Sequence, residues 1–166
     1  MKPLNPKHIR EIIRLINHSP FFSLLSLDVK ALEYGYCRVE IALEEKHLNP
    51  FGGLHGGVYS AAIDTAAYWA VYCAAPEEMG LISLDLHVDN LSTVQSGKLI
   101  VEGKQVKAGR SVCLAEATVK DCCGKLLACG SSKQVLVPGL QTIPQAIAAM
   151  GMPPLPPKFL SQEDSL

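Results

Sequence analysis

The chain has 166 residues, 48% hydrophobic and 19% charged, with a formal net charge of −1. That length and apolar content predict one globular domain able to bury a real core. Near-neutrality argues against nucleic acid or an anionic membrane as a partner. The six cysteines, at 37, 73, 113, 122, 123 and 129, form no C-x-x-C pair, and several lie in apolar runs. This is the usage of a reducing compartment, so a cytoplasmic location is expected. The start of the chain lacks a basic segment followed by a long apolar stretch, and the most apolar later run is broken by Asp64 and Thr65. Neither a leader nor a membrane span is indicated.

Asn5-Pro6 followed by Ile9, Ile12, Ile13 and Ile16 has the spacing of a capped amphipathic helix, ended by His18-Ser19-Pro20. From residue 36 to 45 the period changes to two, with Val39, Ile41 and Leu43 opposite Arg38, Glu40 and Glu44, as in a half-buried strand. A Pro- and Gly-rich loop over 49–53 leads into a helix over about 56–75. Val58, Ala61, Ala62, Ile63, Ala66, Ala67, Trp69, Ala70, Val71 and Cys73 cover most of its circumference, which predicts a helix wrapped on nearly all sides.

Alternating segments near 81–90, 98–107, 111–120 and 125–137, separated by turn residues, predict a four-strand antiparallel meander to do the wrapping. The fold class expected is α+β: five strands in a curved antiparallel sheet around a long central helix. Residues 142–150 predict a short helix, and the prolines over 153–157 an extended polyproline-like tail. The chain thus divides into an N-terminal helix (1–20), a central domain (21–137) and a C-terminal extension (138–166).

Asp64 is the informative residue: it is the one residue between His55 and Ala75 with a side chain charged at neutral pH. Burying an unpaired carboxylate is costly. Ser60, Asp64 and Tyr68, spaced i, i+4, i+8, form a polar stripe, as if facing an internal wet cavity. A carboxylate there could serve as general base or nucleophile. The segment from Asn49 to Gly57 enters the same helix, whose first N–H groups and dipole can hold a developing oxyanion.

Asn49-x-x-Gly52-x-x-His55-Gly56-Gly57 followed by Asp64 resembles the active-site signature of hotdog-fold acyl-CoA thioesterases of the phenylacetic-acid-degradation type, within the 4-hydroxybenzoyl-CoA thioesterase superfamily. Ile82-Ser83-Leu84-Asp85-Leu86 resembles the family's strand bearing a Ser or Thr, and Val94-Gln95-Ser96-Gly97, Lys107-Ala108-Gly109-Arg110 and Asp121 to Ala128 resemble its later landmarks. The likeness covers roughly residues 35–137, with Asn90 standing where an aromatic residue is common.

The resemblance implies a hotdog fold in which Asp64 activates or delivers the attack on a thioester and the Gly57 N–H polarises its carbonyl. Asn49 would lie near the carbonyl or the attacking water, His55 would orient the loop, and Ser83 would position the water. Gly56, Tyr68, Lys107 and Arg110 are the expected substrate-binding residues, the last two with Lys98 and Lys104 as candidates for CoA phosphate. Phe51, Tyr59, Tyr68, Trp69 and Tyr72 predict a mostly apolar acyl or aryl pocket. No cofactor is expected, and His47, His55 and His87 with Asp85 or Asp89 lack the spacing of a metal site. Cys122-Cys123 reads as an exposed thiol pair.

Hydrolysis of an acyl- or aryl-CoA is the leading expectation. A hotdog acyl-CoA hydratase or dehydratase, and a non-catalytic acyl-CoA-binding protein, are the alternatives. Gly57 and Asp64, seven residues apart, stand about 10 Å apart along one helix. One carbonyl cannot touch both in one chain, which predicts a homodimer with shared sites; the resemblance extends this to a homotetramer built as a dimer of dimers.

Overall fold

A computed structural model of the protein describes residues 2–161. Helix α1, Pro6–Asn17, starts as the sequence requires. The Asn5 side chain accepts from the Lys7 N–H at 3.0 Å, and proline opens the first turn where its missing N–H costs nothing. Ile12 and Ile16 are buried on its inner side. A short helix α2, Pro20–Leu25, ends at Ser26 with φ of 51°, the left-handed turn that reverses the chain into the sheet.

Six strands follow: β1 Leu27–Glu33, β2 Tyr36–Ala42, β3 Gly80–Asn90, β4 Lys98–Lys107, β5 Val112–Asp121 and β6 Leu126–Val137. They form one antiparallel sheet in the order β1-β2-β4-β5-β6-β3. Two expectations are corrected here. Among the described residues there are six strands rather than five, because β1 carries a bulge between Val29 and Ala31 that breaks its period of two: Leu27, Val29 and Leu32 are its buried residues. Nor are the last four strands a simple meander, since β3 crosses to the far edge and pairs with β6, while β2 takes the place beside β4.

The long helix α3, Gly56–Ala74, lies across this sheet and is buried at Val58, Tyr59, Ala62, Ile63, Thr65, Ala66, Ala67, Ala70, Val71, Tyr72 and Cys73. The chain has the α+β architecture of a hotdog fold. Gly103 on β4 permits the closest approach: a Cβ there would stand 2.3 Å from the Ala66 carbonyl oxygen, so any side chain would lift α3 off the sheet.

Helix α4, Ile143–Ala149, begins in a Thr142/Gln145 capping box and buries Ile147 in the same core as Ile12 and Ile16. Residues 152–157 have no regular structure, and the chain then returns to its beginning through a bridge between Leu4 and Phe159. The end of the expected extension, residues 162–166, lies outside the described residues. Among the described residues no helix is long and apolar enough to cross a membrane.

Candidate active site

Asp64 sits midway along α3, half-buried, with the Ser83 hydroxyl donating to its Oδ1 at 3.1 Å. A bulge in β3 between Ser83 and Asp85 interrupts the alternation at this point. Such an irregularity re-aims side chains locally, here at the strand position that meets α3. Tyr68, one turn on, donates its hydroxyl to the Leu81 carbonyl at 3.3 Å, and Ser60, one turn before, donates to the Gly56 carbonyl at 3.3 Å. The polar stripe therefore exists, but in the single chain it faces the edge strand β3, with the Asp64–Ser83 pair exposed to solvent rather than in an internal cavity. Burial, followed by the Asp64 charge, raises the pKa of Tyr68 and keeps its phenol a donor. No ion pair involves Asp64 among the described residues, whereas its neighbour Asp85 is paired with Lys133.

The N-terminus of α3 is built by the loop before it. Asn49 Oδ1 accepts from the N–H groups of Phe51 at 2.9 Å and Gly53 at 3.2 Å, closing the loop on itself. Its oxygen is thereby committed to the loop, leaving the NH₂ end as its donor. His55 is the N-cap: its Nδ1 accepts from the Gly57 N–H at 2.9 Å. The donor expected to polarise a carbonyl is thus exposed but bonded to the histidine ring. Glycine at 57 permits that contact, since a Cβ there would stand 2.9 Å from Nδ1.

A cleft of about 540 Å³ opens beside this helix end, lined by Asn49, Phe51, Gly56, Tyr59, Asn90 and Thr93 among others. Asn49, Asn90 and Thr93 give it a polar lining beside the apolar one of Phe51 and Leu54. Of the five aromatic residues expected there, Phe51 and Tyr59 line this cleft. Tyr72 points to the other end of α3, where its hydroxyl meets His8 Nε2 at 2.8 Å.

One chain brings Asp64 and Ser83 together, and separately Asn49, His55, Gly56 and Gly57. It does not bring Lys107 and Arg110 to either group. Both are exposed, and Lys107 is aligned through Leu114 and Lys133 with Asp85, three strand spacings or about 14 Å away. Cys122 and Cys123 are exposed free thiols in the β5–β6 turn, as expected.

Two residues near the site were not read from the sequence as site residues, Asn90 standing out only as a departure from the family pattern. Asn90 has its Nδ2 3.1 Å from where a Gly56 Cβ would be. Gln134, fully buried on β6, is the cross-strand partner of Ser83. The polar run Ser131-Ser132-Lys133-Gln134 concealed which of its members face inward.

The sequence profile of the Thioesterase superfamily matches residues 51–128. A Saccharolobus solfataricus protein whose name proposes an esterase is 32% identical over 120 residues, covering 72% of this chain and 84% of its own. Acyl-coenzyme A thioesterase 13 of Mus musculus is 26% identical over 130 residues, covering 75% of this chain and 91% of its own. The crystal structure of a thioesterase from Haemophilus influenzae superposes with a TM-score of 0.75 at 21% identity, over 85% of this chain and 98% of that one, and shares the fold. With a half-buried carboxylate on the wrapped helix and a capped helix N-terminus on the same element, the chain belongs to the thioesterase superfamily and is a thioester hydrolase.

Proposed function

We propose that the substrate is an acyl- or aryl-CoA, hydrolysed to the free acid and CoA by a site of the phenylacetic-acid-degradation type. The observation that carries this reading is the Asp64–Ser83 pair: a carboxylate with no ion pair among the described residues, on a largely buried helix, held at 3.1 Å by a hydroxyl. Asp64 takes a proton from water as the water oxygen attacks the thioester carbonyl carbon. The oxyanion is held at the N-terminus of α3 by the Gly57 N–H, which the carbonyl shares with, or takes from, His55 Nδ1. Asn49 contributes its NH₂ group. Collapse of the tetrahedral adduct breaks the C–S bond, and the departing thiolate recovers the proton from Asp64. Attack by Asp64 itself, through an anhydride that water then opens, uses the same groups.

The site is proposed to span two chains. Gly57 and Asp64 are about 10 Å apart along one α3. Among the described residues the outer edge of β3 has no strand beside it, and β3 carries exposed apolar side chains at Ile82, Leu84 and Leu86. Two copies joined antiparallel along this edge run their α3 helices antiparallel, Asp64 of one toward Gly57 of the other. Pairing of such dimers into a tetramer, a CoA phosphate contact at Lys107 and Arg110, and a cytoplasmic setting belong to the same proposal.

The test is release of free thiol from a panel of aryl- and acyl-CoAs, read with a thiol-reactive dye. Asp64→Asn should keep the fold and KM while kcat falls at least about a hundredfold, the scale of a lost general base or nucleophile. Near-normal turnover by the variant removes Asp64 from the chemistry. Turnover by the wild type of enoyl-CoA hydration, without thiol release, would replace hydrolysis with the hydratase reading.

A further inference from the structure

Gln134 is 0% exposed, and its Oε1 is a buried side-chain oxygen with no hydrogen-bond partner among the described residues. An unsatisfied buried acceptor is destabilising, so it needs a reason. The orientation of the amide is fixed by its surroundings. Gln134 Nε2 donates to Ser132 Oγ at 2.8 Å, and the Ser132 hydroxyl spends its only proton on the Asp85 carbonyl at 2.8 Å. Turning the amide over would set two acceptors against each other at Ser132, so the oxygen is held facing away from it.

The register shows which side chain stands opposite. Ser83 and Gln134 are directly opposite on β3 and β6. Both side chains lie on the helix side of the sheet, Ser83 reaching Asp64 and Gln134 buried beneath α3. Opposed residues on one face have Cβ atoms about 5 Å apart. The hydroxyl that holds Asp64 and the amide whose oxygen wants a donor thus stand at opposed positions on one face of the sheet.

We propose that Gln134 is a positioning residue for hydrolysis: its Oε1 is the second acceptor for the Ser83 hydroxyl, directly or through one water, and takes over that hydrogen bond when Asp64 becomes protonated. A hydroxyl has one proton to give. While Asp64 is a carboxylate, the charge-assisted bond to Oδ1 wins. Once Asp64 has accepted the proton of the attacking water, its own O–H becomes a donor, Ser83 Oγ becomes the acceptor, and the Ser83 proton turns to Gln134. No bond to carbon forms or breaks in this step, and the only atoms that move are hydroxyl protons. The device stabilises the protonated acid, the state in which Asp64 must wait to return its proton to the thiolate. It rests on the proposed role of Asp64 as the base.

Gln134→Met keeps length and volume but removes the acceptor. Four proteins are compared on phenylacetyl-CoA and octanoyl-CoA: wild type, Gln134→Met, Ser83→Ala and the double variant, each with a thermal midpoint. The expected result is a Gln134→Met protein with kcat down about tenfold, KM within about twofold and a midpoint equal to or above wild type, because a buried orphan has been removed. In the Ser83→Ala background the same change should have no further effect on kcat, since the residue acts through Ser83. Unchanged kcat in Gln134→Met, multiplicative losses in the double variant, or a loss of activity that tracks a fallen midpoint each overturn the relay. A wild type that hydrolyses neither substrate nor any other of the panel overturns the reading beneath it; an active wild type with an unaffected Gln134→Met overturns the relay alone.

Discussion

Gly57 carries two demands that meet in one N–H. That group closes the N-cap with His55 at 2.9 Å, and in the proposed reaction it also meets a carbonyl. A methyl group at this position would stand 2.9 Å from His55 Nδ1 and 3.2 Å from Cε1, so the ring must swing away. Losing a cap costs about 1 kcal/mol, while replacing glycine by alanine inside a helix returns about as much. Gly57→Ala should therefore leave the thermal midpoint within a few degrees of wild type while kcat falls by about tenfold or more, the scale of disturbing one oxyanion donor. Calorimetry and thiol release on the same preparation separate the two effects. Full activity with His55 displaced would mean that this N–H has no part in the chemistry.

At the scale of the elements, α3 and β3 together determine where the two halves of the site stand, and the shared-site arrangement follows from their lengths. Mixing Asp64→Asn chains with Asn49→Ala chains should give heterodimers in which one site holds both lesions and the other neither. Each heterodimer should recover toward half the wild-type activity. Subunit exchange confirmed by mass spectrometry with no return of activity would sink the shared site, as would a fully active monomer in light scattering. The sequence displayed α3, its cap and Asp64 because apolar periodicity and one out-of-place carboxylate are local signals. It did not display β1, whose bulge at Lys30 shifts the alternation, or the placement of β3 beside β6, which depends on pairing between residues some fifty apart. Gln134 was obscured for a related reason: four consecutive polar residues give no alternation, and only the register with Ser83 shows which of them is inside.

For the molecule as a whole, the two ends of the chain close over the C-terminal end of α3, and the closure is polar. Lys158 is 1% exposed, its Nζ donating to the Tyr72 carbonyl at 3.0 Å and lying 4.2 Å above the Tyr72 ring. Its backbone N–H donates to Glu77 at 2.9 Å, and the Asn5 amide reaches the Pro157 carbonyl at 2.9 Å. Burial lowers the pKa of Lys158 from 10.5 to about 8, against the opposing pull of Cys73, Glu77 and Glu78. Between about pH 8 and 10.5 the unfolded chain holds a proton that the folded one has released, so this lysine makes stability rise with pH there and leaves it level below 8. Burial acts oppositely on the thiols, raising Cys37 and pushing Cys73 up to about 12, so stability is lost once the unfolded thiols ionise above their ordinary value of 9.0. On the acid side, burial lowers the pKa of His8, and stability falls as the pH drops through 6.5 because the unfolded ring protonates first. These contributions are separable by one substitution. Lys158→Met keeps the stem and drops the charge, while the Tyr72 carbonyl still receives the Ala75 N–H at 3.3 Å. The stability difference between wild type and Lys158→Met, from denaturant midpoints, cancels the burial contributions of the thiols and His8 and leaves only their coulombic coupling to Lys158. It should move in favour of wild type by about 1 kcal/mol from pH 8 to pH 9. A difference that stays flat across that interval would show that Lys158 titrates at its ordinary value.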